Sequence, residues 1–373
     1  MRTKKQEPIR IAQIMGKWVG GGVEAVVMNY YRNIDKEKIQ FDFIFDNDSK
    51  DIPYKEIESL GGNIILIPPY QKLFKYHKEL KKVLKEGNYK IVHSHINTLS
   101  VFSLHAAKKA GVPVRIAHSH STTNKKEWKK NLLKQVLRPL AKKYATHYFA
   151  CSQIAGCWQF GKKTFKEGKV FILNNAIDLN KFKYDKKIRE EKRKELNIKK
   201  DTFVIGHIGR FMPVKNHEFI IDVFNEIHKE NKNTLLLLVG QGPLMDEIKE
   251  KVKKLKLTRY VKFLGQRTDV NELYQAFDTF IFPSLYEGLG MVAIEAQASG
   301  LPCVASTEVP SIVKVTDCLE FLELEDTINT WKNTILEKIN IKRKNYVTEI
   351  KKAGYDIKIE AKKLEKKYIE LSK

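Results

Sequence analysis

At 373 residues, 42% of them hydrophobic and 30% charged, the chain is long enough for two domains and has neither a disordered nor a fibrous composition. No apolar run approaches the roughly 18 to 20 residues that span a bilayer. The basic start MRTKKQEPIR leads straight into a strand pattern without a signal-peptide core, so a cytoplasmic protein is expected, free or peripheral on the inner face of the plasma membrane. The net charge of +24 favours anionic partners. No helix-turn-helix, zinc-finger or aromatic RNA-binding signature accompanies it, and no nucleic-acid partner is expected. Cys151, Cys157, Cys303 and Cys318 match no zinc spacing and read as reduced, mostly buried thiols.

In chain order, short β-like runs alternate with longer helical stretches. Strands are expected at Ile9–Ile14, Phe41–Phe45, Ile64–Ile67, Ile91–His93, Val114–Ala117, Tyr148–Cys151 and Val170–Leu173. Helical patterns cover Val23–Asn33, Leu73–Leu84, Leu99–Ala110 and Lys129–Tyr144. After a polar, Lys-rich stretch the pattern starts again, with strands at Val204–Ile208, Leu235–Val239, Val261–Phe263, Thr279–Phe282 and Cys303–Ala305. The alternation implies two doubly wound α/β domains with parallel sheets, over 1–183 and 201–341. A linker is expected over 184–200 and a charged, solvent-facing helical segment over 342–373. Two such domains facing each other would bind ligands in a cleft at the carboxyl ends of their strands.

The motifs fall at those strand ends. Tyr286-Glu287-Gly288-Leu289-Gly290-Met291 follows one strand and opens a helix that carries Glu295. The glycines permit close approach of a ligand, the helix start suits a phosphate, and carboxylates accept from sugar hydroxyls. Gly209-Arg210 and Lys215 end another strand, where two cations could clamp a diphosphate. Gly240-Gln241-Gly242 makes a third glycine turn at the same sheet end. In the first half, Gly20-Gly21-Gly22 follows the first strand but is not the dinucleotide fingerprint, which disfavours nicotinamide. His93 with His95, and His118 with His120, sit at two further strand ends. His-x-His is no zinc spacing by itself, so no metal is expected, and one of these histidines should contact substrate. Asp46-Asn47-Asp48 could hold a divalent cation but reads better as a turn.

Taken together, these segments resemble the retaining glycosyltransferases of family 4, which have the GT-B fold of two Rossmann-like domains. The resemblance runs from Gly21-Gly22-Val23-Glu24 through Cys151-Ser152, Asn174-Asn175-Ala176-Ile177-Asp178 and Leu264-Gly265 to Glu287-x7-Glu295. Asn175 stands where the family usually has Gly. The resemblance implies a nucleotide-sugar donor, most commonly a UDP-sugar, used without metal or cofactor. Arg210 and Lys215 would neutralise its diphosphate, Glu295 would take the ribose hydroxyls and Glu287 those of the transferred sugar. Leu289, Gly290 and Met291 would line the donor, Gly22 would approach the diphosphate, and the backbone near Arg267 would read the base. His120 would be the active-site histidine with His118 as its competitor, and Gly21, His95 and His118 would lie toward the acceptor. Loss of Arg210 or Lys215 is expected to cost about 3 kcal/mol in the transition state, roughly a hundredfold in rate.

The segments Ala117–His120 and Cys151–Gly161 look most like bacterial capsule and exopolysaccharide enzymes, which implies an undecaprenyl-diphosphate-linked saccharide as acceptor. Across 126–144, Trp128, Leu132, Leu133, Val136, Leu137 and Leu140 alternate with basic residues. Such a helix either lies on an anionic membrane or packs on its own sheet. A nucleotide-sugar epimerase or phosphorylase on the same architecture, and a basic nucleic-acid-binding protein, are the rival readings.

Overall fold

The computed structural model describes residues 7–120 and 128–373, with the backbone alone for 128–134 and 141. The chain divides into two compact units, Met1–Ile177 with Asp356–Lys373, and Asp178–Tyr355.

The first unit holds seven strands: β1 (Ile9–Gly16), β2 (Ile39–Asp46), β3 (Asn63–Ile67), β4 (Ile91–Ser94), β5 (Val114–Ser119), β6 (His147–Ala150) and β7 (Val170–Ile172). They form one sheet of order β3-β2-β1-β4-β5-β6-β7 with every pair parallel. Because strand side chains alternate between faces, neighbouring residues feed two different cores. Ile11, Phe43, Ile91, Ile116 and Phe149 pack with helices Gly22–Asn33 and Ile357–Leu371, while Ala12, Ile44, Val92 and Ala117 pack with helices Leu73–Glu86 and Ser100–Ala110. The helix Trp128–Tyr144 also belongs to this unit. Residues 126 and 127, and the side chains of Trp128, Leu132 and Leu133, lie outside the described residues, so the amphipathic face expected there is described only from Gln135 onward.

The second unit repeats the design with β8 (Phe203–Ile208), β9 (Thr234–Val239), β10 (Val261–Gly265), β11 (Thr279–Phe282), β12 (Cys303–Ser306) and β13 (Leu319–Leu322), in the order β10-β9-β8-β11-β12-β13. In both sheets the winding reverses once, between β1 and β4 and between β8 and β11, and ligands of such sheets bind outside those reversals.

Two segments differ from the sequence expectation. Residues 184–200, expected as a linker, contain helix Lys186–Glu195, which is tied to the second sheet. Arg189 and Arg193 reach Asp278 at 2.5 and 3.2 Å and also donate to the carbonyls of residues 275–277, which explains why the unit begins at Asp178 rather than after residue 200. The C-terminal helix Ile357–Leu371 is not wholly solvent-facing. Ile357, Ala361, Leu364 and Tyr368 form an i, i+4, i+7, i+11 stripe buried against the first unit, and the lysines between them keep the outer face. The backbone N–H of Ile357 donates to the carbonyl of Ile177 at 3.0 Å, which brings the chain back into that unit.

Candidate functional site

In the second unit, the loops after β8 and β11 meet at the reversal point. Leu285 N donates to the Val214 carbonyl at 2.8 Å, joining them. Gly240, at φ +132°, lies so close to the first loop that a Cβ would fall 2.2 Å from the Gly209 oxygen, so the glycine turns seen in sequence are a packing requirement of this sheet end. Gly290 has φ +87° and caps helix Met291–Ala298; Leu289 beside it is buried. A Cβ on Gly290 would meet Val309 at 3.0 Å.

The charges on these loops are arranged unequally. Lys215 forms an ion pair with Glu287, both largely buried, and its ammonium lies 5.1 Å above the Phe282 ring. Arg210 is exposed and has no carboxylate partner among the described residues. Glu295 sits partly buried in helix Met291–Ala298, where burial pushes its carboxyl up to about 7, opposed by the Tyr274 hydroxyl that donates to it at 2.9 Å. Tyr274 is wholly buried, and sequence reasoning missed it because nothing in its local pattern separates it from a core aromatic. The Arg267 side chain is committed to Asp269 at 2.6 Å and Glu195 at 3.0 Å, which leaves its backbone at the end of β10 as the part free for a ligand. The structure therefore gathers Arg210, Lys215, Glu287, Gly290, Met291 and Glu295 at one reversal point, with Arg267 two strands away.

At the other reversal point, in the first unit, four histidines form one buried chain of hydrogen bonds. His120 Nε2 lies 2.9 Å from His95 Nδ1, and His95 Nε2 lies 2.8 Å from Gln13 Oε1. The Gln13 amide donates to the Tyr368 hydroxyl at 3.1 Å, the hydroxyl is 2.6 Å from His93 Nδ1, and His93 Nε2 is 3.0 Å from His118 Nδ1. A neutral imidazole has one donor and one acceptor, so the central amide sets the whole chain. With its oxygen toward His95, His95 donates from Nε2 and accepts at Nδ1 from His120, whose own Nδ1 is then a bare acceptor. On the other arm Tyr368 donates to His93, His93 donates to His118, and His118 keeps an N–H at Nε2. Turning the amide over reverses every proton. The two end atoms, His120 Nδ1 and His118 Nε2, are buried with no partner among the described residues. Burial holds all four rings neutral, with His120 lowered to about 3 and the other three pushed well below the usual histidine value.

This cluster exceeds what its spacing suggested. His93, His95 and His118 each bring a ring nitrogen within 4.8 Å of the others, a separation a metal could bridge, although all of these nitrogens except His118 Nε2 are already engaged in hydrogen bonds. Gln13 and Tyr368 were not singled out in the sequence; Tyr368 comes from a helix 275 residues beyond His93 in the chain. Gly22 opens helix Gly22–Asn33, and a Cβ there would meet nothing within 4 Å, so packing does not demand the glycine. Gly21 precedes it as the cap. Asp48 pairs with Lys17 at 2.7 Å, in a turn at the end of β2. The four cysteines are free thiols, Cys151 and Cys303 fully buried.

Two parallel sheets of this winding, one of them ending in cations, partly buried carboxylates and glycine turns, are the two Rossmann-like units of a GT-B chain. Residues 20–181 match the family described as Glycosyltransferase Family 4, and residues 188–345 match Glycosyl transferases group 1. The chain is 35% identical to "Putative glycosyltransferase EpsF" of Bacillus subtilis, over 93% of each chain. It is 27% identical to the "UDP-Gal:alpha-D-GlcNAc-diphosphoundecaprenol alpha-1,3-galactosyltransferase" of Escherichia coli, over 97% of each. Among solved structures, its fold is similar to that of Anabaena Alr3699/HepE crystallised with UDP and glucose (TM-score 0.77, 19% identity, 97% of this chain and 100% of that one). The chain belongs to the group 1 and family 4 glycosyltransferases, and it is a transferase enzyme of the GT-B fold. No described helix is long and apolar enough to cross a membrane.

Proposed function

We propose that the protein transfers a sugar from a UDP-sugar, with retention of configuration, to a lipid-diphosphate-linked saccharide in the synthesis of a bacterial surface polysaccharide. The observation that carries the donor half is the grouping of exposed Arg210, the Lys215–Glu287 pair and half-buried Glu295 around the Gly290 helix start. Arg210 and Lys215 supply the positive charge that a departing diphosphate needs, and aimed charge of this kind usually contributes more to such catalysis than any other single effect. Glu295, held by Tyr274, accepts from the ribose hydroxyls. Glu287, released from Lys215 as the diphosphate takes over that cation, accepts from the sugar. His120 offers its free nitrogen to the transferred group, and the first unit takes the acceptor.

The UDP in the HepE structure and the lipid diphosphate in the name of the E. coli relative support this choice of substrates. The test is calorimetric titration of UDP, GDP and ADP into the wild type and Glu295→Gln. UDP is expected to bind most tightly, and about tenfold more weakly to the variant, the value of one charge-assisted hydrogen bond or two neutral ones. Equal binding by both proteins would remove Glu295 from the site, and tighter GDP or ADP binding would change the donor.

A further inference from the structure

The first unit carries a cavity of about 800 Å³ between helices Leu73–Glu86, Ser100–Ala110 and Trp128–Tyr144, the last of these being the basic amphipathic stretch noted in the sequence. Its floor is apolar, with Val101, Phe102, Leu137 and Leu140 contributing to it. Phe74, at 92% exposed, and Leu73, at 43%, stand at its edge. Large apolar side chains left this open, next to a volume in the range of ligand pockets, point to an apolar occupant.

The rim has only one sign of charge. Lys78, Lys81, Lys82, Lys85 and Lys109 line it, and among the described residues no Asp or Glu does. None of the five has a carboxylate partner among those residues. Two histidines complete the lining: His77 and His105 lie ring to ring at 4.9 Å, and the buried His77 Nε2 has no hydrogen-bond partner among the described residues. Both rings are held toward the neutral form by burial first, His77 then by His105, Lys81 and Lys109, and His105 by Lys109, Lys108 and Lys143. An apolar trough with an unneutralised cationic rim matches one kind of molecule, a hydrocarbon chain with an anionic head.

We propose that this groove is a lipid-tail site, which takes the hydrocarbon chain of a phosphorylated lipid along Phe74, Phe102 and Leu140 with the phosphate held by the lysine rim. The inference rests on the reading of the acceptor as a lipid-linked saccharide and gives that lipid a place in the first unit. It also gives the lysines a task other than general solubility.

The probe is farnesyl diphosphate below its aggregation concentration, titrated into the full chain with UDP saturating so that the donor cations are occupied. Inorganic diphosphate and vesicles containing phosphatidylglycerol are run beside it. Farnesyl diphosphate is expected to bind at least a hundredfold more tightly than inorganic diphosphate. Phe74→Ser, at a position too exposed to disturb folding, should weaken it about tenfold, the scale of one aromatic side chain's burial. Lys81→Gln should weaken it severalfold, and neither variant should change UDP affinity. Binding of farnesyl diphosphate no tighter than diphosphate, or untouched by both variants, overturns the proposal. So does binding to the vesicles alone, which would mark a membrane-facing surface in place of a tail site. If UDP binds normally and farnesyl diphosphate does not, the groove fails by itself; if UDP fails to bind, the donor site is what falls.

Discussion

The reversal point of the first sheet ends in four neutral histidines, an amide and a phenol, all buried and linked in one chain of hydrogen bonds. That of the second ends in a lysine paired with a glutamate, an exposed arginine without a carboxylate partner among the described residues, and a carboxylate of raised pKa. One winding rule thus supports two chemistries. The first positions hydrogen-bond donors and acceptors without charge, and the second concentrates charge around a helix start. The fold supplies the place, while the residues at the strand ends decide what is done there.

The comparison can be strained first with acid. The rings of His93, His95 and His118 stay neutral in the fold but take a proton near pH 6.5 once unfolded. The unfolded chain therefore binds more protons as pH drops below 6.5, and stability falls by about 1.4 kcal/mol per pH unit for each such histidine. Glu295 works the other way. Its folded carboxyl, at about 7, holds a proton that the unfolded one releases above about 4.3, so its contribution is lost as pH rises through that window. Thermal midpoints from pH 8 to 5 should show the net acid loss, reduced in His93→Gln; a flat profile would mean the histidine chain is not neutral.

The charged side is tested by Arg210→Ala. Because Arg210 is exposed and outside any described ion pair, its loss should leave the thermal midpoint unchanged while kcat/KM falls about 100- to 1000-fold. A fall of less than fivefold would remove charge neutralisation from its role. Tyr368→Phe strips the phenolic proton from the middle of the histidine chain and leaves His93 Nδ1 unpaired, at a cost of about 1 to 3 kcal/mol. Nitrogen-15 spectra of the histidine rings should then show a changed tautomer at His93 and His118, a signature that lost packing alone would not produce. The smallest effects separate two glycines. Gly290→Ala meets a left-handed backbone and a close Val309, and should cost about 1 to 2 kcal/mol. Gly22→Ala enters open space, and its stability should change by less than about 0.5 kcal/mol.

The fold was legible where strands are buried on both faces. Runs such as Leu235–Val239 have no other reading, and helices between them force a parallel sheet. β13 was missed because Leu319–Leu322 is a four-residue edge strand with a glutamate in it, too short to show a period. The charges of the candidate donor site were visible because each sits beside a glycine turn at a strand end. Their pairing was not: that Lys215 meets Glu287, 72 residues later, depends on two loops joined by a backbone hydrogen bond. The histidine chain shows the same limit. Its rings announce themselves as two His-x-His pairs, yet the two groups that order their protons, Gln13 and Tyr368, come from opposite ends of the chain and look like ordinary core residues.

The buried stripe of helix Ile357–Leu371 has a bearing on how the chain is made. The first unit needs this helix to cover Phe41 and to supply Tyr368, but the helix is synthesised only after the whole of Asp178–Tyr355. The second unit has all its strands in one continuous stretch and can close as soon as that stretch is complete. The first, though translated earlier, waits with one face of its sheet only partly covered, by helix Gly22–Asn33, so the half of the protein begun first is the half finished last.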